Sequence, residues 1–175
     1  MSYQYRRLRP DSENLTPTKI LFETAFPEEE RPPFEVAVAW EKPFFYEISE
    51  EGEFLGLVVL LPFKDMLYVF FLAIDPSKRG KGIGGNVLGE VCSWYPEKRI
   101  YLLVEEPTED YPDYELRKRR VGFYKRNGFF LQEDKAVEFG IVYQMMNRGA
   151  RVEPSEFFDA MKDLIGEELF HKYYF

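Results

Sequence analysis

A glycine-rich turn at residues 75–85, DPSKRGKGIGG, is the stretch of this chain whose residue types and spacing favour ligand binding. It follows an apolar, strand-like segment and precedes an apolar pattern with helical spacing. A helix that starts in such a turn leaves four backbone N–H groups unpaired and presents its positive dipole end, and glycine lets an anion approach both. The turn therefore predicts a phosphate-binding site.

The same turn contains two overlapping glycine spacings. Gly80, Gly82 and Gly85 form GxGxxG, and Glu105 and Glu106 follow about 20 residues later, where a dinucleotide site would place a ribose-binding acid. Three features count against a dinucleotide site. The segment DPSKR separates the strand from the first glycine, the preceding strands look like an antiparallel meander, and no further βα units follow.

The alternative spacing starts at Arg79 and reads RxxGxG, with glycines at 82 and 84. It is accompanied about 40 residues later by RRVGFYKRNGFF at residues 119–130, a helical pattern that closes on Asn127-Gly128. The two motifs together resemble motifs A and B of the GCN5-related N-acetyltransferases, the GNAT family. The resemblance extends over residues 3–147.

The strands and helices that would position these motifs can be predicted from the spacing of apolar residues and from composition. We expect strands at 3–9, 43–50, 53–62, 65–74, 99–106, 129–134 and 136–146, and helices at 15–26, 34–40, 83–94 and 113–128. The first helix is expected to face the core with Ile20, Leu21, Thr24 and Ala25. The resemblance implies an α/β (α+β) fold: a mixed, mostly antiparallel GNAT-type sheet of six to seven strands flanked by helices.

We expect two segments: an acetyltransferase domain at 1–148 and an appended C-terminal helix at 149–175. Glu153-Pro154-Ser155-Glu156 is a helix start signal, and Phe158, Met161, Ile165 and Leu169 form an apolar stripe. Leaving that stripe in water would expose several side chains worth about 1.5–3 kcal/mol each on burial. The helix is therefore expected to pack on the chain's own core or on a second subunit of a homodimer, and the sequence leaves both open.

By resemblance, the backbone of Leu72, Ala73 and Ile74 pairs with the pantetheine arm of acetyl-CoA. The residues expected to bind the pyrophosphate through N–H groups and charge are Arg79, Gly80, Lys81, Gly82, Ile83 and Gly84. Tyr124 matches the tyrosine that many family members use as the general acid for the departing thiolate; its alternative is an aromatic ring packed under the helix.

The chain departs from the family pattern at two positions. Arg117 stands where motif B often carries asparagine, and Tyr68 stands where histone-type members carry a glutamate base. Glu30 and Glu105 are the candidate bases, and the alternative for residues 28–30 is a solvated acidic loop. We interpret the run Arg117–Arg120 as a solvated helix face, with a rim for the 3′-phosphate of coenzyme A as the alternative.

Composition bounds the remaining possibilities. The 175-residue chain is 45% apolar and 18% aromatic, enough for a core. A formal net charge of −8 argues against nucleic acid as a partner and suits a cationic substrate. One cysteine and one histidine leave little room for a metal site, and we expect none. No apolar run approaches the length of a membrane span and no signal peptide is visible, so we expect a cytoplasmic protein without membrane association.

The expected function is acetyl-CoA-dependent N-acetyltransferase activity, with direct transfer to a primary amine. A small-molecule amine is favoured over a protein acceptor. The alternative from another class is a non-catalytic acyl-CoA-binding module, and a dinucleotide-binding oxidoreductase ranks third.

Overall fold

The computed structural model describes residues 2–174. Its strands are β1 (Gln4–Arg7), β2 (Phe44–Glu50), β3 (Glu53–Phe63), β4 (Met66–Ile74), β5 (Arg99–Glu105), β6 (Phe130–Glu138) and β7 (Ile141–Arg148). Its α-helices are α1 (Thr16–Ala25), α2 (Phe34–Ala39), α3 (Ile83–Ser93), α4 (Tyr114–Arg126), α5 (Pro154–Ile165) and α6 (Glu167–Tyr173). Short 3₁₀ helices cover Glu28–Glu30 and Pro76–Lys78.

The strands form one seven-stranded sheet with the order β1-β2-β3-β4-β5-β7-β6. β4 and β5 pair in parallel, whereas β1–β2, β2–β3, β5–β7 and β6–β7 pair antiparallel. The predicted fold class is therefore confirmed. The near-continuous apolar run of β5 also matches its position inside the sheet, between β4 and β7.

The chain divides into two compact units, residues 1–62 with 69–94, and residues 63–68 with 95–175. In the first unit an aromatic cluster forms the core under α1 and α2. Phe22 is fully buried, and its ring lies 5.2–5.9 Å from the rings of Phe26, Phe34, Phe45 and Phe71.

The prediction of which residues of α1 are buried is wrong in part. Leu21 is buried as expected, but Ile20 is 57% exposed, and the other buried positions are Thr18 and Phe22. Thr18 is fully buried because its hydroxyl donates to a carboxylate oxygen of Glu47 at 2.7 Å. The predicted face was chosen from apolar spacing, which does not reveal that Thr18 is buried. The predicted buried face is therefore rotated relative to the observed one.

In the second unit the β6–β7 turn lies at Phe139-Gly140, both with positive φ, and not at residue 135 as expected. The pairing of β6 with β7 shifts register between Leu131 and Lys135, so the polar segment there stays in the strand as a bulge. Gln132 in this bulge is buried and donates to the backbone carbonyl of Val152 at 2.9 Å.

The C-terminal segment forms two helices, and the prediction of a single helix is wrong. The start signal is confirmed, because Glu153 and Glu156 form a capping box at the first turn of α5. Gly166, with φ 81°, ends α5 and begins α6 with a new phase. The predicted stripe therefore fails at Leu169, which is 45% exposed, while Phe170 is buried.

Both C-terminal helices pack within the second unit. Phe157 is fully buried, with its ring 5.5 Å from that of Tyr68 and 6.1 Å from that of Tyr101. Arg99 at the start of β5 pairs with both Asp65 and Glu156 at 2.8 Å. The buried residues of this segment, which include Phe157, Met161 and Phe170, thus pack within the chain's own second unit.

Replacing Phe157 by alanine should remove the centre of this packing. We expect a loss of about 3–5 kcal/mol in the free energy of unfolding, because a buried ring leaves a cavity. Leu169→Ala, at the half-exposed position of the predicted stripe, should cost less than about 1 kcal/mol. Urea unfolding of both variants measures the difference, and equal losses would contradict the packing described for α5.

Candidate active site

The turn after β4 is held by a local hydrogen-bond network around Asp75. One carboxylate oxygen accepts from the backbone N–H of Ser77 at 2.8 Å and from its hydroxyl at 2.6 Å. These bonds hold the pKa of Asp75 below its usual value. The Asp75 carbonyl accepts from Lys78 N–H at 2.8 Å, which closes the 3₁₀ turn. Sequence reasoning did not single out Asp75, although an aspartate two residues before a serine is a known turn signal.

The glycines at 80 and 82 give the turn its shape. Both have left-handed φ, 81° and 75°, a region that most other residues avoid. A Cβ at either position would meet no atom within 4 Å, so the backbone conformation and not crowding selects glycine here.

Gly82 is also the N-cap residue of α3, and no side chain caps that helix. Its carbonyl accepts from Asn86 N–H at 3.0 Å, the first bond of the helix. The N–H groups of the first turn, including those of Ile83 and Gly84, have no carbonyl of their own helix to donate to. They lie next to exposed backbone at residues 79–82, so the helix offers donors and a positive dipole end to an anion.

Basic side chains surround this turn. Lys78 forms an ion pair with Glu53. Arg79 donates through Nε to the carbonyl of Ile74 at 3.2 Å, which links the turn to the end of β4. Arg79 and Lys81 are exposed, so their charges add to the field of the helix terminus.

The predicted pantetheine strand has a close backbone approach that sequence reasoning missed. A Cβ at Gly56 on β3 would lie 2.2 Å from the carbonyl oxygen of Ala73. Only glycine fits there without moving the β4 backbone. Ala73 and Ile74 are buried and Leu72 is half-buried, and Leu55 accepts from Asp75 N–H at 2.8 Å just beyond them. Glycine inside an apolar strand is the signal that could have revealed this approach.

Tyr124 lies on α4, in the second unit, and is half-buried. Its ring contacts Phe123 and Phe129 at centroid distances of 5.1 and 5.9 Å. No hydrogen bond of its hydroxyl is found within residues 2–174. Burial raises the pKa of Tyr124 to about 12, and the charge of Arg120 acts in the opposite direction.

The expected cap at Asn127-Gly128 is confirmed, and it fixes the end of α4 directly behind Tyr124. Gly128 has φ 87° and donates to the carbonyl of Lys125, while Phe129 N–H donates to the carbonyl of Tyr124 at 3.1 Å. This is the bonding pattern of a Schellman motif.

The two candidate bases have different surroundings. Glu105, at the end of β5, has both carboxylate oxygens in ion pairs, with Arg117 at 2.9 Å and Arg120 at 2.6 Å. Glu30, in the first unit, ends the 3₁₀ helix and is half-buried, while Glu28 and Glu29 beside it are exposed.

The interpretation of Arg117–Arg120 as a solvated face is wrong for Arg117. Lys118, Arg119 and Arg120 are exposed, but the Arg117 side chain is only 11% exposed because it is paired with Glu105 and Asp113. Tyr68 is buried, and its ring stacks on that of Tyr101 at a centroid distance of 4.9 Å.

Residues 2–174 contain neither a metal-binding cluster nor a membrane-spanning helix. No group of three or more His, Cys, Asp and Glu side chains there has an arrangement that would hold a metal ion. None of the helices in that range combines the length and apolar character needed to cross a membrane.

Several solved structures described as acetyltransferases have a similar fold. A GNAT-family protein from Bacteroides thetaiotaomicron superposes with a TM-score of 0.75 and 22% identity, over 91% of this chain and 94% of that one. Naa50 from Arabidopsis thaliana, solved with the bisubstrate analogue CoA-Ac-MVNAL, has a TM-score of 0.57 and 21% identity over 86% and 100%. The PaiA N-acetyltransferase from Thermoplasma acidophilum, in complex with coenzyme A, has a TM-score of 0.59 and 17% identity over 86% and 100%.

Sequence comparison identifies the family of the chain. No curated protein sequence matches the chain. The sequence model of the acetyltransferase (GNAT) family, however, matches residues 15–129, well over half of the chain, including the turn at 75–85 and all but the last residue of the segment 119–130. The family match favours the spacing that starts at Arg79 over the dinucleotide spacing. The chain belongs to the acetyltransferase (GNAT) family, whose members use acetyl-CoA as the acetyl donor.

Proposed function

We propose that the chain transfers the acetyl group of acetyl-CoA directly to a primary amine, and that the acceptor is a small molecule. The observation that carries the proposal is the uncapped N-terminus of α3 behind two left-handed glycines, in a chain of this family. The pyrophosphate would be bound there by the backbone N–H groups and by Arg79 and Lys81. The backbone of Leu72, Ala73 and Ile74 would pair with the pantetheine arm.

The proposed reaction has one bond-forming and one bond-breaking step. The amine nitrogen attacks the thioester carbonyl, and the tetrahedral intermediate then breaks its C–S bond. The departing sulfur takes a proton from the Tyr124 hydroxyl, and the amine loses a proton to a base. With a pKa near 12, Tyr124 stays protonated throughout the neutral range, as an acid catalyst must.

Of the two candidate carboxylates, we propose Glu30 as the base. A proton accepted by Glu105 would have to displace one of two guanidinium groups from its oxygens. Glu30 has the lower exposure of the three glutamates in its loop and lies in the connector between α1 and α2.

The acceptor class rests on charge. The net charge of −8 suits a cationic amine better than a polyanion. A protein amino terminus is the second candidate, because Naa50 was solved with a bisubstrate analogue of the sequence MVNAL, and the Escherichia coli ribosomal-protein-S18-alanine N-acetyltransferase shares the fold with a TM-score of 0.62. A screen of amines, amino acids and peptides for release of free coenzyme A separates the two, and binding without release would favour a non-catalytic acyl-CoA module.

Acetyl-CoA at 100 times its dissociation constant should stabilise the protein by about 2.7 kcal/mol, a thermal shift of several degrees. Gly82→Val should abolish this shift, because a β-branched residue resists the left-handed φ of the turn. Gly52→Val is the matched control: Gly52 has φ 81° and equally open surroundings, but it lies between β2 and β3. Loss of the shift in both variants, or in neither, would contradict a phosphate site at residue 82.

Tyr124→Phe should lower kcat by about 10²–10⁴-fold while the acetyl-CoA shift is retained, since only the proton donor is removed. Tyr114→Phe on the same helix should leave kcat unchanged. Because the pKa of Tyr124 is raised to about 12, this group should also give the wild-type kcat no alkaline limb below about pH 11. Unchanged turnover in Tyr124→Phe would transfer the acid role to water.

Glu30→Gln should lower kcat/KM, because the amide cannot accept the proton of the attacking amine. Glu29→Gln removes the same charge from the exposed neighbouring position and should have little effect. Steady-state kinetics of the pair with one acceptor measures this. Equal values for both variants would remove Glu30 from the mechanism.

A further inference from the structure

We propose that Arg117 is a positioning residue for the reaction: it ties the first turns of α4 to the end of β5 and so sets the rotation of the helix that carries Tyr124. The inference rests on the proposed function of Tyr124 as the general acid. It assigns Glu105 a supporting role as the anchor of this tie.

The Arg117 guanidinium is held on all sides. One terminal nitrogen lies 2.9 Å from Glu105 Oε2, and the other donates to the carbonyl of Glu106 at 3.2 Å. Nε donates to Asp113 Oδ1 at 2.8 Å. The guanidinium carbon lies over the ring of Tyr111, 3.8 Å from the ring centroid. The side chain therefore joins β5, the loop after it and the first turn of α4.

The ion pair between Arg117 and Glu105 is largely buried, and its geometry requires an arginine. The side chains of Arg117 and Glu105 are 11% and 15% exposed, so each charge depends on the other for compensation. Only arginine has a planar fork that can bond Glu105, Glu106 and Asp113 at once while stacking on a ring. A lysine would keep the charge and lose this geometry.

Helix geometry connects Arg117 with Tyr124. The two residues are seven positions apart, which is two turns, so they lie on the same stripe of α4, with the buried Val121 between them. Holding Arg117 at a fixed rotation about the helix axis therefore also fixes the direction in which Tyr124 points from that axis. A rotation of α4 by about 10° would move a tyrosine hydroxyl by roughly 1.5 Å at its distance from the helix axis. A misplacement of that size can cost about 10²-fold in rate.

The second oxygen of Glu105 holds Arg120, one turn before Tyr124, at 2.6 Å. The charge of Arg120 acts on the Tyr124 phenol and opposes the effect of burial on its pKa. Lys135 on β6 forms its ion pair with Glu106 and not with Glu105. Glu105 thus anchors two arginines on the face of α4 that carries the phenol.

A double-mutant cycle distinguishes positioning from a general contribution to stability. Arg117→Met should lower kcat at least 10-fold and leave the acetyl-CoA thermal shift in place. In a Tyr124→Phe background the same substitution should change kcat less than about 2-fold, because the group through which it acts is gone. Arg117→Lys should lower kcat as Arg117→Met does, because lysine lacks the planar guanidinium. If Arg117→Met does not fold, Arg117→Lys replaces it in the double-mutant cycle. Arg126→Met, exposed at the other end of α4, is the matched control.

A second measurement does not depend on turnover. In protein labelled with ¹³C at the tyrosine ring, the Tyr124 resonance, assigned by its loss in Tyr124→Phe, should shift in Arg117→Met and stay in place in Arg126→Met. An unmoved resonance, full kcat in Arg117→Lys, or the same fold-loss in both backgrounds would overturn the proposal. If Tyr124→Phe itself leaves turnover unchanged, the proposed acid role of Tyr124 is wrong, and the positioning role of Arg117 is wrong with it. This outcome differs from the case in which Tyr124→Phe lowers kcat but the effects of the two substitutions simply add.

Discussion

The left-handed backbone at Gly82 is the constraint on which the candidate site depends. It ends the turn after β4 and starts α3 with no side chain over the first amide groups of the helix. A serine or aspartate at this position would cap the helix and occupy the donors that an anion needs. Asp75 stabilises the turn from its other end, and the buried residues Val87, Leu88 and Val91 hold α3 in its core. The turn is thus preorganised, and binding a pyrophosphate there would require little further ordering.

The chemistry proposed for the chain uses two environments for two proton transfers. A half-buried tyrosine with a raised pKa remains protonated and can donate, and the half-buried Glu30 in the connector between α1 and α2 is the proposed acceptor. Glu105 shows why a carboxylate at a strand end is not automatically a base. Its oxygens are engaged by two arginines of α4, and its charge supports the geometry of the helix.

Much of this could be predicted from the sequence where the signal is local. The turn, the Asn127-Gly128 cap and the capping box at Glu153 depend on residues close to one another in the chain, and the structure has all three. The predictions failed where the burial or conformation of a residue depends on a partner that is distant in sequence. Arg117 was interpreted as solvated because nothing near it in sequence reveals Glu105, twelve positions earlier. Gly56 is required by the backbone of Ala73 on the next strand, and Thr18 is buried because of Glu47. At Gly166 a single left-handed residue changed the phase of the last helix, which periodicity alone cannot detect.

The most direct test of the central claim compares ligands with and without the pyrophosphate. Calorimetric titration of coenzyme A and of pantetheine into the wild-type chain and into Gly82→Val measures what the turn contributes to binding. The account predicts that the wild type binds coenzyme A far more tightly than pantetheine, and that Gly82→Val removes most of this difference while leaving the weak binding of pantetheine unchanged. Equal affinities of the two ligands for the wild type, or an undiminished difference in Gly82→Val, would contradict it.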